Sequence, residues 1–420
     1  MKRSCQAALL ALATDTIRAC TFQKRVSYFG REETADVLLP SGDEKYLSFW
    51  VRDAAMMAES GLLSDDALLR YIGIIACHGQ NGEGTRHLAN GLTVPPYAVA
   101  DHINYDAHPV FFPGTYSSGE DQGKGDYGFY PPFCDNFWFI LMVAQYVKGT
   151  GDTAPLTAEY AGMPLATRLL RAFFGYGIDP ASGLCVSEEE RYTVDWGFVD
   201  TVKKSGKLLT SSLFRYRAGV ALGGMLAAVG MGAEGEACRH EAEKIKEAIL
   251  PTFYDAESGW LLSATGIGRQ PDVWGTAYAV FCGLPVGALT MQALADGYRK
   301  GTAVKDGYVR HIPLCPKEPP TVWEASRTPP GTYQNGAYWA TATGWYAYAL
   351  YKGGYGTEIL EDFLAHTARH AAAGAPFEWI DERTERVSGL HYGTSGVLPY
   401  VGLCRILDEA AGDGMTDNEN

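Results

Sequence analysis

The chain has 420 residues, a hydrophobic share of 46% and a formal net charge of -14. That share supplies a large core. The acidity, with no Lys or Arg run longer than Lys203-Lys204, excludes proteins that track phosphates or anionic lipid. No stretch reaches the roughly 18 consecutive apolar residues of a membrane span, so a soluble protein with a small or neutral partner is expected.

Apolar spacing of 3.6 residues, punctuated by Gly and Pro, predicts twelve helices: 4–21, 47–60, 64–77, 134–149, 157–175, 211–230, 233–250, 273–283, 287–300, 336–353, 356–373 and 395–410. Hardly any stretch alternates as a strand would. The first helix has a basic start and a short apolar stretch but no cleavage site, and reads as mature protein. Nine cysteines lie scattered without C-x-x-C spacing, some within apolar helical runs (Cys282, Cys404), which favours a reducing cytoplasm and no structural zinc.

The helices are of two kinds. Even-numbered ones are almost bare of charge: "NFWFILMVAQYV", "AGVALGGMLAAVG", "VWGTAYAVFCG", "GTYQNGAYWATATGWYAYALYKGG" and "TSGVLPYVGLC". A helix apolar all round is surrounded by protein. Odd-numbered ones, such as "EACRHEAEKIKEAIL" and "TEILEDFLAHTARHAAA", carry one charged face. Even-to-odd links are tight and glycine-rich, and odd-to-even links are long. Six hairpins with parallel inner helices and all long loops at one end describe an all-α (α/α)6 toroid: one catalytic domain over 1–410, then a flexible acidic tail over 411–420. Function is expected where the long loops meet, at the N-terminal end of the inner helices.

The residues entering each inner helix mix aromatic rings with polar groups. They are Trp50, Arg52 and Asp53; Asp126, Tyr127, Asp135 and Trp138; Asp195 and Trp196; Gln270, Asp272 and Trp274; Tyr333, Gln334, Asn335 and Trp339; and Glu378, Trp379, His391 and Tyr392. Rings for C–H faces and bidentate groups for hydroxyls suit a sugar, and glycosidic cleavage needs two carboxyl groups flanking the bond. Asp195 and Glu378, each beside a Trp that would desolvate it, are the first candidates. Plainer readings stand beside these: Arg52 and Asp53 as a helix-start ion pair, Asn335 as an N-cap, Trp339, Trp345 and Tyr348 as core. His366 and His370 lack the Glu of a zinc protease and read as surface groups. The 120–128 loop lacks the terminal Glu of an EF-hand, Asp101, His102, Asp106 and His108 read as polar loop, and neither a metal nor a cofactor is expected.

Four segments resemble the six-hairpin glycosidases, the (α/α)6 group of glucoamylases, trehalases, processing α-glucosidases and α-L-rhamnosidases. "FWVRDAAMMAESG" is similar to the glucoamylase entrance and implies Arg52 and Asp53 as sugar binders. "TVDWGF" resembles the segment that bears the general acid, which points to Asp195. "TYQNGAYW" resembles the run before an inner helix. "PFEWIDERTERVSGLHYGTSGVL" resembles the segment that bears the base, which points to Glu378, with Glu324 in "TVWEASR" as its competitor. The resemblance implies an inverting, exo-acting hydrolase of a neutral α-glucoside or α-L-rhamnoside. A sugar 2-epimerase would need paired cavity histidines, of which His391 alone is placed to serve. A uronic-acid lyase would face an anionic chain, which the acidity disfavours. A non-catalytic sugar-binding protein would survive loss of both carboxyls.

Overall fold

The computed structural model describes residues 3–123, 128–314 and 322–416. Thirteen helices are present among them: α1 Arg3–Cys20, α2 Val51–Ala58, α3 Asp65–Ile74, α4 Cys134–Thr150, the short α5 Ala154–Thr157, α6 Leu165–Phe173, α7 Leu209–Ala228, α8 Gly232–Phe253, α9 Val273–Phe281, α10 Ala288–Arg299, α11 Thr343–Lys352, α12 Thr357–Ala372 and α13 Gly393–Thr416. The last runs into the stretch read as a tail.

Helix α2 packs on α4, α4 on α7, α7 on α9, α9 on α11, α11 on α13, and α13 returns to α2, closing an inner ring of six. Outside it lie α3 on α4, α6 on α4 and α7, α8 on α7, α10 on α9 and α11, α12 on α11, and α1 against α12 and α13. This is the (α/α)6 toroid, with α1 completing the sixth pair from the other end of the chain.

Ring position explains composition. Every residue of α2 and of α9 is buried, as is Thr343–Leu350 of α11, so no face remains for a charge to meet water. The outer α8 buries only Gly235, Cys238, Ala242, Ile245, Ile249 and Phe253, a single stripe at helical spacing. Two inner helices touch through glycine: a Cβ on Gly344 would overlap the Leu398 carbonyl, and one on Gly402 would overlap Gly344 itself. The absence of side chains there lets α11 and α13 approach closely.

Two inner helices begin later than their sequence predicts, and the cause is strand pairing. Phe49–Trp50 pairs with His102–Ile103, which pairs with Pro109–Val110, so α2 starts at Val51. Tyr338–Trp339 is the centre of a five-stranded antiparallel sheet with Val304–Lys305, Tyr308–Arg310, Trp379–Ile380 and Val387–Ser388, so α11 starts at Thr343. The predicted 157–175 helix likewise starts late, at Leu165, because a tight hairpin, Glu159–Tyr160 with Met163–Pro164, takes up its first turns and separates α6 from α5. Strands are therefore far more common than the sequence suggests. Most are two or three residues long, too short for alternation to register.

Candidate active site

At the N-terminal end of the inner ring the long loops enclose a cavity of about 240 Å³, walled by Tyr46, Trp50, Tyr116, Phe198, Tyr333 and Tyr392, with Arg52, Asp53, Asp101 and Asp200 as its charged groups. Trp50 leads into α2, and Arg52 and Asp53 lie in its first turn. Asp101 precedes the strand that pairs with Phe49–Trp50, and Asp200 ends the 3-10 turn Gly197–Val199. Tyr392 stands at the entrance to α13.

Arg52 organises the floor. Its guanidinium pairs with Asp101 and lies 3.6 Å from Asp53 and 3.7 Å from Asp135, all of them buried. Burial would push the Asp101 carboxyl up, but Arg52 and the His102 imidazole, 2.8 Å away, outweigh it and hold the group ionised. Asp135 and Asp53 are less favoured. Burial raises Asp135 well above the usual range, and raises Asp53 to about 6 despite Arg52. The guanidinium also presses against Gly197, where a Cβ would overlap its Cζ.

Two carboxyl groups are set apart from this network. Asp200 is pushed up to about 7, first by burial and then by Asp101 and Glu378, with Arg52 and Gln334 pulling the other way. Among the described residues its buried Oδ1 has no hydrogen-bond partner. Glu378 is fully buried, accepts a hydrogen bond from the Tyr46 hydroxyl and pairs with Lys45. Burial raises its carboxyl, opposed by Lys45 and Tyr46. Tyr46, Tyr333 and Tyr392 feel its charge and line the cavity, so Glu378 stands directly behind their wall.

The other sequence-derived candidates separate into three groups. Trp50, Arg52, Asp53, Tyr333 and Tyr392 reach the cavity; the Tyr392 hydroxyl lies 3.4 Å from Asp53. A second group braces it. Gln334 accepts from the Thr201 amide and hydroxyl, both at 2.8 Å, and donates to the Gly197 carbonyl at 3.1 Å, pinning the turn that carries Asp200. Asn335 ties Trp323 to the Thr328 carbonyl, and Trp379 lies edge-on to Tyr333.

The third group lies elsewhere. Asp195 is not in the cavity wall: it is buried in an ion pair 2.9 Å from Lys204 and accepts the Ser211 amide at 3.1 Å, so both its oxygens are engaged structurally. Asp272 caps α9 through the Gly275 amide. Trp138, Trp196, Trp274 and Trp339 fill the ring interior. Gln270 and Glu324 bind each other's segment, with Glu324 exposed and accepting the Gly268 amide, and neither is part of the cavity wall. His391 is exposed, so no histidine pair faces the cavity from there. Asp126 and Tyr127 lie outside the described residues, as does part of the 120–128 loop.

Sequence reading passed over Tyr46, Lys45, Asp101, His102 and Asp200. Asp101 and His102 are fully buried, not the polar loop their surroundings suggest, whereas Asp106 and His108 are exposed. For Asp200 a signal existed: it lies on the same segment as Asp195, and only the 3-10 turn between them decides which one faces the cavity.

No protein-family model and no curated protein sequence matches the chain. Solved structures do. The chain is similar to a GH78 family rhamnosidase of Bacillus sp. GL1 (TM-score 0.57, 14% identity, covering 96% of this chain and 35% of that one). It is similar to a GH63 mannosylglycerate hydrolase from Thermus thermophilus in complex with glucose (0.58, 14%, 93% and 99%). A glucoamylase from Saccharomycopsis fibuligera also superposes (0.59, 11%, 96% and 94%). The fold is that of the six-hairpin glycosidases. The chain spans about a third of the Bacillus enzyme's length but nearly all of the other two.

Proposed function

We propose that this six-hairpin toroid is an inverting, exo-acting glycoside hydrolase in which Asp200 is the general acid and Glu378 the general base. The observation that carries the proposal is the contrast between two carboxyl groups at one aromatic cavity. One stays protonated up to about pH 7. The other is also raised by burial, but the Lys45 and Tyr46 donors beside it pull toward its ionised form. Acid and base catalysis needs two carboxyl groups in different surroundings: Glu378 has the Lys45 and Tyr46 donors beside it, whereas Asp200 is kept protonated mainly by desolvation.

The remaining wall fits a sugar. Trp50 and Tyr116 meet edge to face, with ring centroids 5.6 Å apart, offering apolar surface to C–H faces. Arg52 and Asp53 offer donors and acceptors to hydroxyls. At about 240 Å³ the cavity is smaller than the roughly 300–1,000 Å³ of drug-sized sites, which suits one ring at a chain end. Asp200 protonates the departing glycosidic oxygen, while Glu378, at the Tyr46 edge, takes a proton from the water that attacks the opposite face. Tyr46 holds the receiving carboxylate in place, and Lys45 keeps it ionised between turnovers.

A screen of aryl glycosides, with proton NMR of the anomer first released, tests the assignment. Hydrolysis with inversion supports it, and retention refutes the roles given to the two carboxyls. The rhamnosidase and glucoamylase likenesses make α-L-rhamnosides and α-glucosides the first substrates to try. A non-catalytic sugar-binding role would leave affinity intact and no turnover to lose in Asp200→Asn and Glu378→Gln.

A further inference from the structure

The opposite end of the toroid holds a second well. Its volume is about 380 Å³, and it is lined from the middle and C-terminal parts of α4, α7 and α13 and from the C-terminal ends of α2 and α9, away from the catalytic mouth. At its base the Arg217 guanidinium pairs with Glu59 and donates to the Tyr278 hydroxyl, with ring centroids of Tyr278 and Phe281 at 5.5 and 5.6 Å. The Glu59 side chain is only 2% exposed, yet its second oxygen, Oε2, has no hydrogen-bond partner among the described residues. A buried carboxylate oxygen with no partner is costly, and in a cavity wall it marks where a donor belongs. Above it, Gln145 and Lys148 of α4 line the well and hold no side-chain partner among the described residues.

The charges decide the class of ligand. Glu59 already neutralises Arg217, and Arg405, over the Tyr348 ring, lies 3.8 Å from Glu409, which it shares with Lys352 at 2.8 Å and which therefore compensates it in part. Lys148 and Asp408 remain, and they balance. Glu59 and Cys282 are the C-caps of α2 and α9, so the negative ends of two helix dipoles turn toward the well and disfavour an anion. What is left is an acceptor at the base, donors and acceptors on the sides and an aromatic surface. We propose that this well is a second binding site for a neutral polyhydroxylated molecule, a mono- or disaccharide, separate from the catalytic cavity and independent of its chemistry.

The test exploits the lining. Leu141, Val220 and Val401 carry methyl groups at the well, whereas no Leu, Val, Ile or Met among the described residues lines the catalytic cavity. In ¹³C-methyl-labelled protein, titration with glucose or rhamnose is expected to shift these three residues saturably, and gluconate to leave them unmoved. Gln145→Trp, which fills the well from a half-buried helix position, is expected to abolish those shifts while leaving kcat/KM unchanged. Three results would each overturn the proposal: no saturable shift, equal shifts in Gln145→Trp, or gluconate moving the same methyls. Because the readout is binding at the far end, its failure leaves the hydrolase assignment untouched, and loss of hydrolase activity leaves this site untouched.

Discussion

Replacing Asp200 by Asn removes a proton while keeping the shape of the side chain. Burial, assisted by Asp101 and Glu378, pushes the Asp200 carboxyl from 3.8 to about 7. At pH 6 roughly nine molecules in ten then hold the proton, where an ordinary aspartyl group would hold it in fewer than about one in a hundred. A positioned general acid contributes about 10²–10⁴-fold, or about 2.7–5.4 kcal/mol of barrier. Asp200→Asn is expected to lower kcat/KM by that factor on glycosides with alcohol leaving groups, and much less on nitrophenyl glycosides, whose leaving group departs without a proton. The alkaline limb of the wild-type profile, set near pH 7 by this group, should vanish in the variant. Stability gives a second readout of opposite sign. The folded chain holds this proton more tightly than the unfolded chain, so the stability it adds is complete below pH 3.8 and lost as pH rises through about 7. Above pH 7 the inactive variant should therefore melt higher than the wild type. Steady-state rates from pH 4 to 9 on both substrate types, with melting curves alongside, decide the matter. An alkaline limb that persists in Asp200→Asn, or an equal loss on both leaving groups, would refute the reasoning.

Four further outcomes are expected. Glu378→Gln should reduce turnover by at least about 10²-fold on every substrate, including those with good leaving groups, because activation of water is needed whatever departs; stopped assays on nitrophenyl glycosides will show it. Tyr46→Phe removes a hydrogen bond that favours the ionised Glu378, so its carboxyl rises further and the acid limb of kcat/KM moves to higher pH. Asp195→Ala should act on the fold: it removes the nearer buried partner of Lys204, 1% exposed, and leaves Asp272 at 3.9 Å, at a cost of at most about 3–5 kcal/mol in chemical denaturation. The double variant Asp195→Leu with Lys204→Met should lose less than Asp195→Ala alone. Gly197→Ala places a methyl where the Arg52 guanidinium lies, and the displaced Arg52 should raise KM more than it lowers the melting temperature.

The two-layered architecture could be read from residue spacing because burial on all sides and burial on one side leave different compositions. "VWGTAYAVFCG" could only be enclosed, and "EACRHEAEKIKEAIL" could only be half-enclosed. The end at which loops enclose a cavity followed from loop lengths, and Arg52, Asp53, Tyr333 and Tyr392, all in its wall, followed from that end. Helix starts were less legible, since short strands such as Tyr338–Trp339 draw on pairing partners some 30 to 40 residues away in the chain and leave no local pattern.

The run with no wet face, Gly331 to Gly354, shows both sides of the division. Its second half is the enclosed inner helix α11, as its lack of charge required, while Gln334 serves a different segment, fastening the turn before Asp200. The sequence by itself determined the ring, its inner and outer helices and the end at which loops gather, because those depend on periodicity and solvent exposure along one chain. Only the tertiary structure decided which carboxyl faces the cavity. Asp195 and Asp200 lie on one short segment, and what distinguishes them is Lys204 beneath the first and an aromatic cavity before the second. Charge partners and desolvation are set by neighbours in space, and those neighbours come from the whole chain.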